Sequence, residues 1–562
     1  MFLPTTRKEM KDLSYDKLDI IIVTGDTYID SSFCGAAVIG RVLQAAGYKV
    51  GIIAQPDIKS ERDIIRMGEP ELFWGITAGS IDSMVANYTA LKKRRKKDDF
   101  TPGGLNTKRP DRATIVYSNL IRRYFKKTKP LVLGGIEASL RRIAHYDYWE
   151  DSIRRSILFD AKADILVYGM GERAILELAN SLKNKQEWRN IKGICYISSS
   201  PPQDYQLIPA YEEVKENKDK FISMFHTFYQ NNDPFTASGL YQKHENRYLI
   251  QNPPALPLSQ KELDGIYSLP YERDVHSFYK REGEVKALKT IKFSINTHRG
   301  CYGECNFCSI TIHQGKLIQA RSEKSILQEA KLLTSLKDFQ GYILDVGGPT
   351  ANMYGIDCPK RKKSGSCPNK RCLYPEPCPH LKLEHQRQIE ILQRIKKIKG
   401  VRKVFVASGI RFDLLLNDKK YGEKYLRQLI RFHISGQIKI APEHISSKIL
   451  EKMGKPNQGY LKRFKELFYR INREEKKRQF LTYYLIAAHP GCREEDMYYL
   501  KDYVKRELKI IPEQIQIFTP IPSTYSTLMY YTEQDPFTRK ALYVEKDLKR
   551  KSKQKRIIIN PH

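Results

Sequence analysis

The chain reads as an α/β protein: an N-terminal doubly wound, Rossmann-like domain followed by six further β/α units. Two observations predict this. Short apolar runs alternate with amphipathic stretches, the rhythm of parallel strands joined by crossover helices. That rhythm fills two blocks, residues 1–185 and 286–530. Residues 186–285 between them are rich in Pro, Asn, Tyr and charge, as in SSSPPQDY and QNPPALPLSQ.

In the first block, DIIIVT (19–24) is a buried-type strand. The loop GDTYIDSSFCGAA follows, then a helix through VIGRVLQAAG (38–47) and a second strand, KVGIIAQ (49–55). LFWGITAG (72–79), ATIVYS (113–118), PLVLGG (130–135) and ADILVYG (163–169) are the next strand candidates, and a helix runs on through Leu182. Five or six such strands with crossovers make a doubly wound sheet. Residues 186–285 read as an irregular connector with a few helices. In the second block the strands are KFSIN (292–296), YILDVGG (342–348), KVFVASG (403–409), QIKIA (437–441), LTYYLIAA (481–488) and QIQIFTP (514–520). Amphipathic helices such as 325–336 and 383–398 separate them. Residues 531–562 form a basic tail, expected to be partly flexible.

Lys plus Arg number 97 against 64 Asp plus Glu, a formal charge of +33. Three short runs, Lys92–Lys97, Lys360–Arg371 and Lys546–Arg556, each contribute a net six of those charges. Such runs attract polyanions, and weak, salt-dependent RNA binding is the expectation they raise. As solvated loops they would simply aid solubility. Seven of the ten cysteines lie between residues 301 and 378, which points to metal in a reducing compartment rather than a disulfide scaffold. The N-terminus has no signal-like apolar region, and no apolar run approaches the ~18 residues that cross a bilayer. A soluble, cytoplasmic protein without membrane contact is expected.

Cys301, Cys305 and Cys308 lie in CYGECNFC, spaced C-x3-C-x2-C, with Phe307 before the third thiol. Thiolates this close can share an iron–sulfur cluster. Three ligands on a four-iron cluster leave one iron open to a substrate or cofactor. The same thiols could instead join a distant fourth ligand on zinc. Cys358, Cys367, Cys372 and Cys378 form a second set, C-x8-C-x4-C-x5-C, with His380 two residues beyond. They lie in a Pro- and Lys-rich insertion, 357–380, with little core to bury them, so a second metal, zinc or iron–sulfur, is expected there.

CYGECNFC is similar to the cluster motif of radical S-adenosylmethionine (SAM) enzymes. GDTYIDSSFCGAAVIGR, GGIEASLRRIAHYDYW and APEHIS resemble the YgiQ-type radical SAM proteins, over about residues 1–530. The resemblance implies a partial (β/α)6 radical SAM barrel in the second block, with its active site at the C-terminal strand ends. It also implies a [4Fe–4S] cluster on Cys301, Cys305 and Cys308, with SAM on the open iron. Phe307 would pack by the adenine, beside the turn His489–Cys492. Gly347 and Gly348 would approach the methionine amino group. Pro349 stands where many members carry an acid, leaving recognition there to backbone carbonyls.

At the third strand end, Ser408 is placed for ribose or the methionine portion. Arg411 is placed for the SAM carboxylate, with Asp413 as its structural partner. At the fourth, Glu443 is a candidate for ribose or substrate and His444 for moving a proton, although a lone histidine is more often structural. The first block resembles a cobalamin-binding-like domain but lacks the Asp-x-His-x-x-Gly loop, so cobalamin is not expected. The implied activity is reductive cleavage of SAM to a 5′-deoxyadenosyl radical that abstracts hydrogen from an unknown substrate. It needs a one-electron donor such as flavodoxin or ferredoxin. The alternative is a metal-stabilised nucleic-acid-binding protein without radical turnover.

Overall fold

The computed structural model describes residues 1–509, 512 and 514–559. They form two compact units, Met1–Leu258 with Gly265–Lys292, and Ser259–Asp264 with the described residues from Phe293 onward.

The first unit is built on one nine-stranded sheet. Its strands are Ile20–Thr24 (β1), Val50–Ala54 (β2), Phe73–Thr77 (β3), Leu131–Gly134 (β4), Ile165–Val167 (β5), Ile194–Ser198 (β6), Gln206–Ile208 (β7), Leu240–His244 (β8) and Arg247–Gln251 (β9). Five strands run parallel in the order β2-β1-β3-β4-β5, the doubly wound arrangement. All five residues of β1 and of β2 are buried, which is why these strands read as unbroken apolar runs.

Two expectations fail in this unit. ATIVYS is not a strand; Ala113–Tyr124 is an α-helix. Its β-branched residues suggest a strand over six positions. Over twelve, burial of Ala113, Thr114, Tyr117, Ser118, Leu120 and Ile121 follows a helical period. The buried Glu137 carboxylate holds the first turn, accepting from the Thr114 amide at 3.0 Å and its hydroxyl at 2.7 Å. Residues 186–285 are not an irregular connector either: they supply β6 to β9. β6 pairs antiparallel with β5, and β9 with β6. These outer strands are buried only in part, so they carry no continuous apolar signal.

β1 and β3 pair side by side at the topological switch point of the sheet, where the chain leaves them toward opposite edges and such folds open a crevice. Here Arg109, fully buried, lies between Asp26 at 2.8 Å and Asp98 at 3.0 Å. Its Nη1 donates to the Ala78 carbonyl just beyond β3 at 2.5 Å.

The second unit carries all six expected strands: Ser294–Asn296 (β10), the broken pair Tyr342–Ile343 (β11) and Asp345–Gly347 (β12), Lys403–Val404 (β13), Gln437–Glu443 (β14), Phe480–Ala487 (β15) and Gln514–Ile517 (β16). Each lies parallel to its neighbour in chain order, β10 to β12, β11 to β13, β14 to β15 and β15 to β16. An Ile410–Ile440 bridge joins the third strand segment to the fourth. Sequential parallel order with outer helices is the partial (β/α)6 barrel. Its core includes Ile295, Val346, Val404, Ile440, Leu485 and Ile515.

The basic tail is largely ordered, although its residues 560–562 lie outside the described ones. Leu548–Ile559 is a helix whose Ile557 and Ile558 join the barrel core. Buried Gln554 accepts from the Ala488 amide at 3.0 Å, and Lys551 donates to the Tyr530 hydroxyl at 2.7 Å. An apolar and amide stripe inside a basic sequence therefore docks the helix. Ile558→Ala should destabilise the second unit by about 2–3 kcal/mol, read as an earlier barrel transition in urea with the transition of the first unit unmoved.

Candidate functional site

Cys301, Cys305 and Cys308 lie in the loop after β10, at the C-terminal end of the first barrel strand. The Gly303 amide donates to Cys301 Sγ at 3.3 Å. A Cβ on Gly303 would stand 3.2 Å from that sulfur and 3.2 Å from Arg411 Nη1, so the loop closes tightly here. Burial raises the Cys301 thiol, and Cys305 adds to it. Burial, then Cys305 and Cys301, push Cys308 up to about 12. Thiols raised in this way ionise only where positive charge compensates. An iron–sulfur cluster supplies that charge, and the donor set fits one.

Arg411 brings a cation to the same place, its Nη1 3.5 Å from Cys305 Sγ. The expected bidentate face is already used, because Nε donates to Asp413 at 2.9 Å and Nη2 donates to the other carboxylate oxygen. Arg411 therefore faces the thiols rather than offering its fork to a SAM carboxylate. Its backbone is held by Asn352, which accepts from the Arg411 amide at 2.8 Å and donates to the Arg411 carbonyl at 2.9 Å.

Other expected SAM contacts are engaged within the protein. The Gly347 carbonyl accepts from the Thr297 amide at 2.7 Å and from its hydroxyl at 3.0 Å. The Ser408 hydroxyl donates to Asp345, which also accepts the Ala407 amide at 2.8 Å. Gly348 is required sterically: a Cβ there would lie 2.6 Å from the ring of His298. Pro349 follows directly in the turn after β12. Phe307 is half-buried and meets His489 edge-on at 6.4 Å.

Glu443 and His444 diverge. Glu443 ends β14 at a register shift, with a left-handed φ of 67°, a conformation costly for a non-glycine residue. Burial raises its carboxyl, against the pull of Lys455 and Arg411, and Lys455 Nζ stands 3.8 Å away. His444 is not placed to move a proton at the mouth. Its Nδ1 accepts the Ser446 amide at 3.0 Å, and its Nε2 lies 3.9 Å from the buried Cys492 thiol.

The second cysteine set gathers only in part. Cys358, Cys372 and Cys378 share one apolar group with Tyr302, Leu373 and Leu381, and Cys367 is not among them. Arg361 donates to Cys372 Sγ at 3.1 Å, so a guanidinium occupies the cationic position beside that thiol. His380 Nδ1 lies 3.8 Å from Cys378 Sγ. Among the described residues, no three His, Cys, Asp or Glu side chains converge as ligands of a single metal ion.

Motif reading missed Glu304, between the first two cluster cysteines. It is buried with φ 45°, and Arg361 Nη2 stands 2.9 Å from one carboxylate oxygen and Lys316 Nζ 3.4 Å from the other. Burial raises this carboxyl, but Lys316 and Arg361 outweigh it and hold it at about 2. Arg371 donates to the Glu304 carbonyl at 3.1 Å. Two residues of the basic insertion thus fasten it to the cluster loop. A cleft of about 510 Å³ opens beside it, between Lys370–Pro379 and the helix Ser447–Met453, with Lys455 and Asn457 in its lining.

Two expected outcomes follow. Glu304→Gln removes the charge between two buried cations and should cost about 3–5 kcal/mol, read by chemical denaturation, with reduced iron retention after reconstitution. Buried His298 and His444 are held at about 4, and His489 at about 3, below the usual 6.5. Between 6.5 and those values the unfolded chain binds protons that the folded chain does not. Stability should therefore fall as pH drops through that window, and His444→Gln should make the urea midpoint less steep against pH.

A family profile described as radical SAM N-terminal matches residues 2–294. A UPF0313 protein of Fusobacterium nucleatum is 58% identical over 558 residues, covering 99% of this chain and 98% of the relative. One from Thermotoga neapolitana is 50% identical, covering 100% and 98%. Among solved structures, the radical SAM methyltransferase TsrM of Kitasatospora setae, with tryptophan and a SAM analogue bound, aligns with a TM-score of 0.51 at 15% identity, over 90% of this chain and 74% of that one. The cobalamin-dependent SAM radical enzyme OxsB aligns at 0.50 and 12% identity, over 92% and 56%. Both likenesses show the fold. The expectation that cobalamin is absent gains no support from them, since OxsB, and TsrM in a second structure, were solved with it bound. No helix among the described residues is long and apolar enough to cross a membrane. With that much identity along its whole length, and with the cluster motif at the mouth of the barrel, the chain belongs to the YgiQ-like UPF0313 family of radical SAM proteins.

Proposed function

We propose that this protein is a radical SAM enzyme that holds a [4Fe–4S] cluster on Cys301, Cys305 and Cys308 and binds SAM beside it. The carrying observation is three half-buried cysteines in one strand-end loop, with Arg411 3.5 Å from Cys305. When bound and reduced, the cluster supplies the electron that cleaves SAM to methionine and a 5′-deoxyadenosyl radical.

The chain's own residues prepare the site. Arg411, oriented by Asp413 and Asn352, favours the thiolate forms. Phe307 and His489 offer an apolar wall for the adenine. Glu443 presents a buried carboxyl to ribose or substrate, and Lys455 links it to the cleft of about 510 Å³. That volume suits a small-molecule substrate. Tyr374, Pro375, Pro377, Pro379 and Leu450 line the cleft with apolar surface. The electron must come from a separate carrier.

Cys301→Ala, Cys305→Ala and Cys308→Ala should each abolish release of 5′-deoxyadenosine from SAM under anaerobic dithionite. Bound iron should fall while the far-ultraviolet spectrum stays unchanged. Near-normal cleavage in any one of the three rejects the proposal.

A further inference from the structure

The run Lys360–Arg371 suggests a solvated polyanion-binding loop when read alone, but the structure puts it to a more specific use. Arg361 is buried, bridging Glu304 at 2.9 Å and Cys372 at 3.1 Å. Its guanidinium lies over the ring of Tyr302, which sits between Cys301 and Cys305, at 5.6 Å. Arg371 reaches the Glu304 carbonyl at 3.1 Å, and its guanidinium lies 6.0 Å from the ring of Phe537. Both arginines thus converge on the residue that precedes Cys305. The lysines between and beside them, Lys360, Lys362, Lys363 and Lys370, are exposed. Asp357 takes Lys362 at 2.7 Å, which leaves three of these lysines in excess of acid. Phe537, 58% exposed, adds an apolar contact beside Arg371. A lysine-rich, exposed segment, with Phe537 beside Arg371, is therefore anchored directly to the loop that carries Cys301 and Cys305.

We propose that this face is the docking surface for a small acidic one-electron carrier of the flavodoxin or ferredoxin kind. The proposal rests on the radical SAM reading and names the partner of that site. The carrier would be oxidised by one electron, and the oxidised [4Fe–4S] cluster that Cys301, Cys305 and Cys308 would hold would be reduced by it. Two features suit a transient redox encounter: an excess of exposed lysine charge to complement an acidic partner, and the anchoring of the segment that carries it to the cysteine loop through Glu304 and Tyr302. The insertion then matters for its charge and its anchoring. Arg361 and Arg371 hold the platform in place, and the exposed lysines steer the partner.

The test compares the full chain with the triple variant Lys360→Glu, Lys362→Glu, Lys363→Glu, whose changes are all exposed. Binding of an acidic flavodoxin is titrated at low and high salt, using both the reconstituted enzyme and the Cys301→Ala form. Initial rates of SAM cleavage are measured with reduced flavodoxin and, separately, with dithionite. Charge reversal should weaken flavodoxin binding on the order of tenfold at low salt and slow the flavodoxin-driven rate similarly, while the dithionite-driven rate stays unchanged. Flavodoxin binding that is insensitive to salt and to the triple variant overturns the proposal. So does loss of RNA retention in the variant with flavodoxin binding intact, which would assign the run to nucleic acid. If dithionite drives no cleavage in the unaltered enzyme, the radical reading fails, and the binding titration still decides the docking surface.

Discussion

The barrel mouth is organised around the Glu304 carboxylate. A buried acid between two cluster cysteines would be costly alone. Here Arg361, Lys316 and the nearby Arg371 surround it and hold it ionised. That arrangement fixes the left-handed backbone at Glu304, and so the spacing of the cysteines on either side. It also fastens a 24-residue insertion, 357–380, that would otherwise have little reason to order. Arg361 carries the constraint to Cys372, and Arg371 carries it to Phe537 and Tyr525. An ion-pair network of this kind contributes specificity of placement more than net stability.

The strand ends around that loop share one design. Each functional candidate is held by a neighbour within the barrel. Asp413 and Asn352 aim Arg411, Asp345 fixes Ser408, Thr297 takes the Gly347 carbonyl, and Lys455 attends Glu443. Groups prepared in this way lose little freedom when a ligand arrives. It follows that a side chain suited by type to contact SAM directly, such as Arg411, can act instead by shaping the field at the thiols. Glu443 differs from the rest in its left-handed backbone and in a carboxyl that burial raises against the pull of Lys455 and Arg411.

The first unit handles buried charge in the same manner. Arg109 joins Asp26 and Asp98 at the switch point, Arg141 pairs with Asp82, and Arg41 with Asp30. Arg142 lies 4.4 Å from the rings of both Tyr168 and Phe228. The motif GGIEASLRRIAHYDYW is therefore explained largely by packing. Glu137 ties two helices to the end of β4, and the two arginines that follow are consumed by internal partners.

The sequence alone determined the alternation of elements and the cluster loop. Strands such as IIIVT are legible because both their faces are buried, whereas the longer barrel strands, Gln437–Glu443 and Phe480–Ala487, alternate buried and more exposed residues, the period of a strand. The cysteine spacing is legible because three ligands within one loop need no tertiary knowledge. Only the tertiary structure decided the rest. ATIVYS became a helix because burial over twelve residues outweighed local β-propensity. Residues 186–285 became sheet because antiparallel outer strands, buried in part, leave no apolar run. The tail became a docked helix because Ile557, Ile558 and Gln554 fill one stripe among lysines. The Arg411–Asp413 pair, two residues apart, was legible in the sequence, but His444 turned to Cys492 and Arg361 to Glu304, since partner choice between distant side chains depends on three-dimensional proximity, which spacing along the chain does not encode.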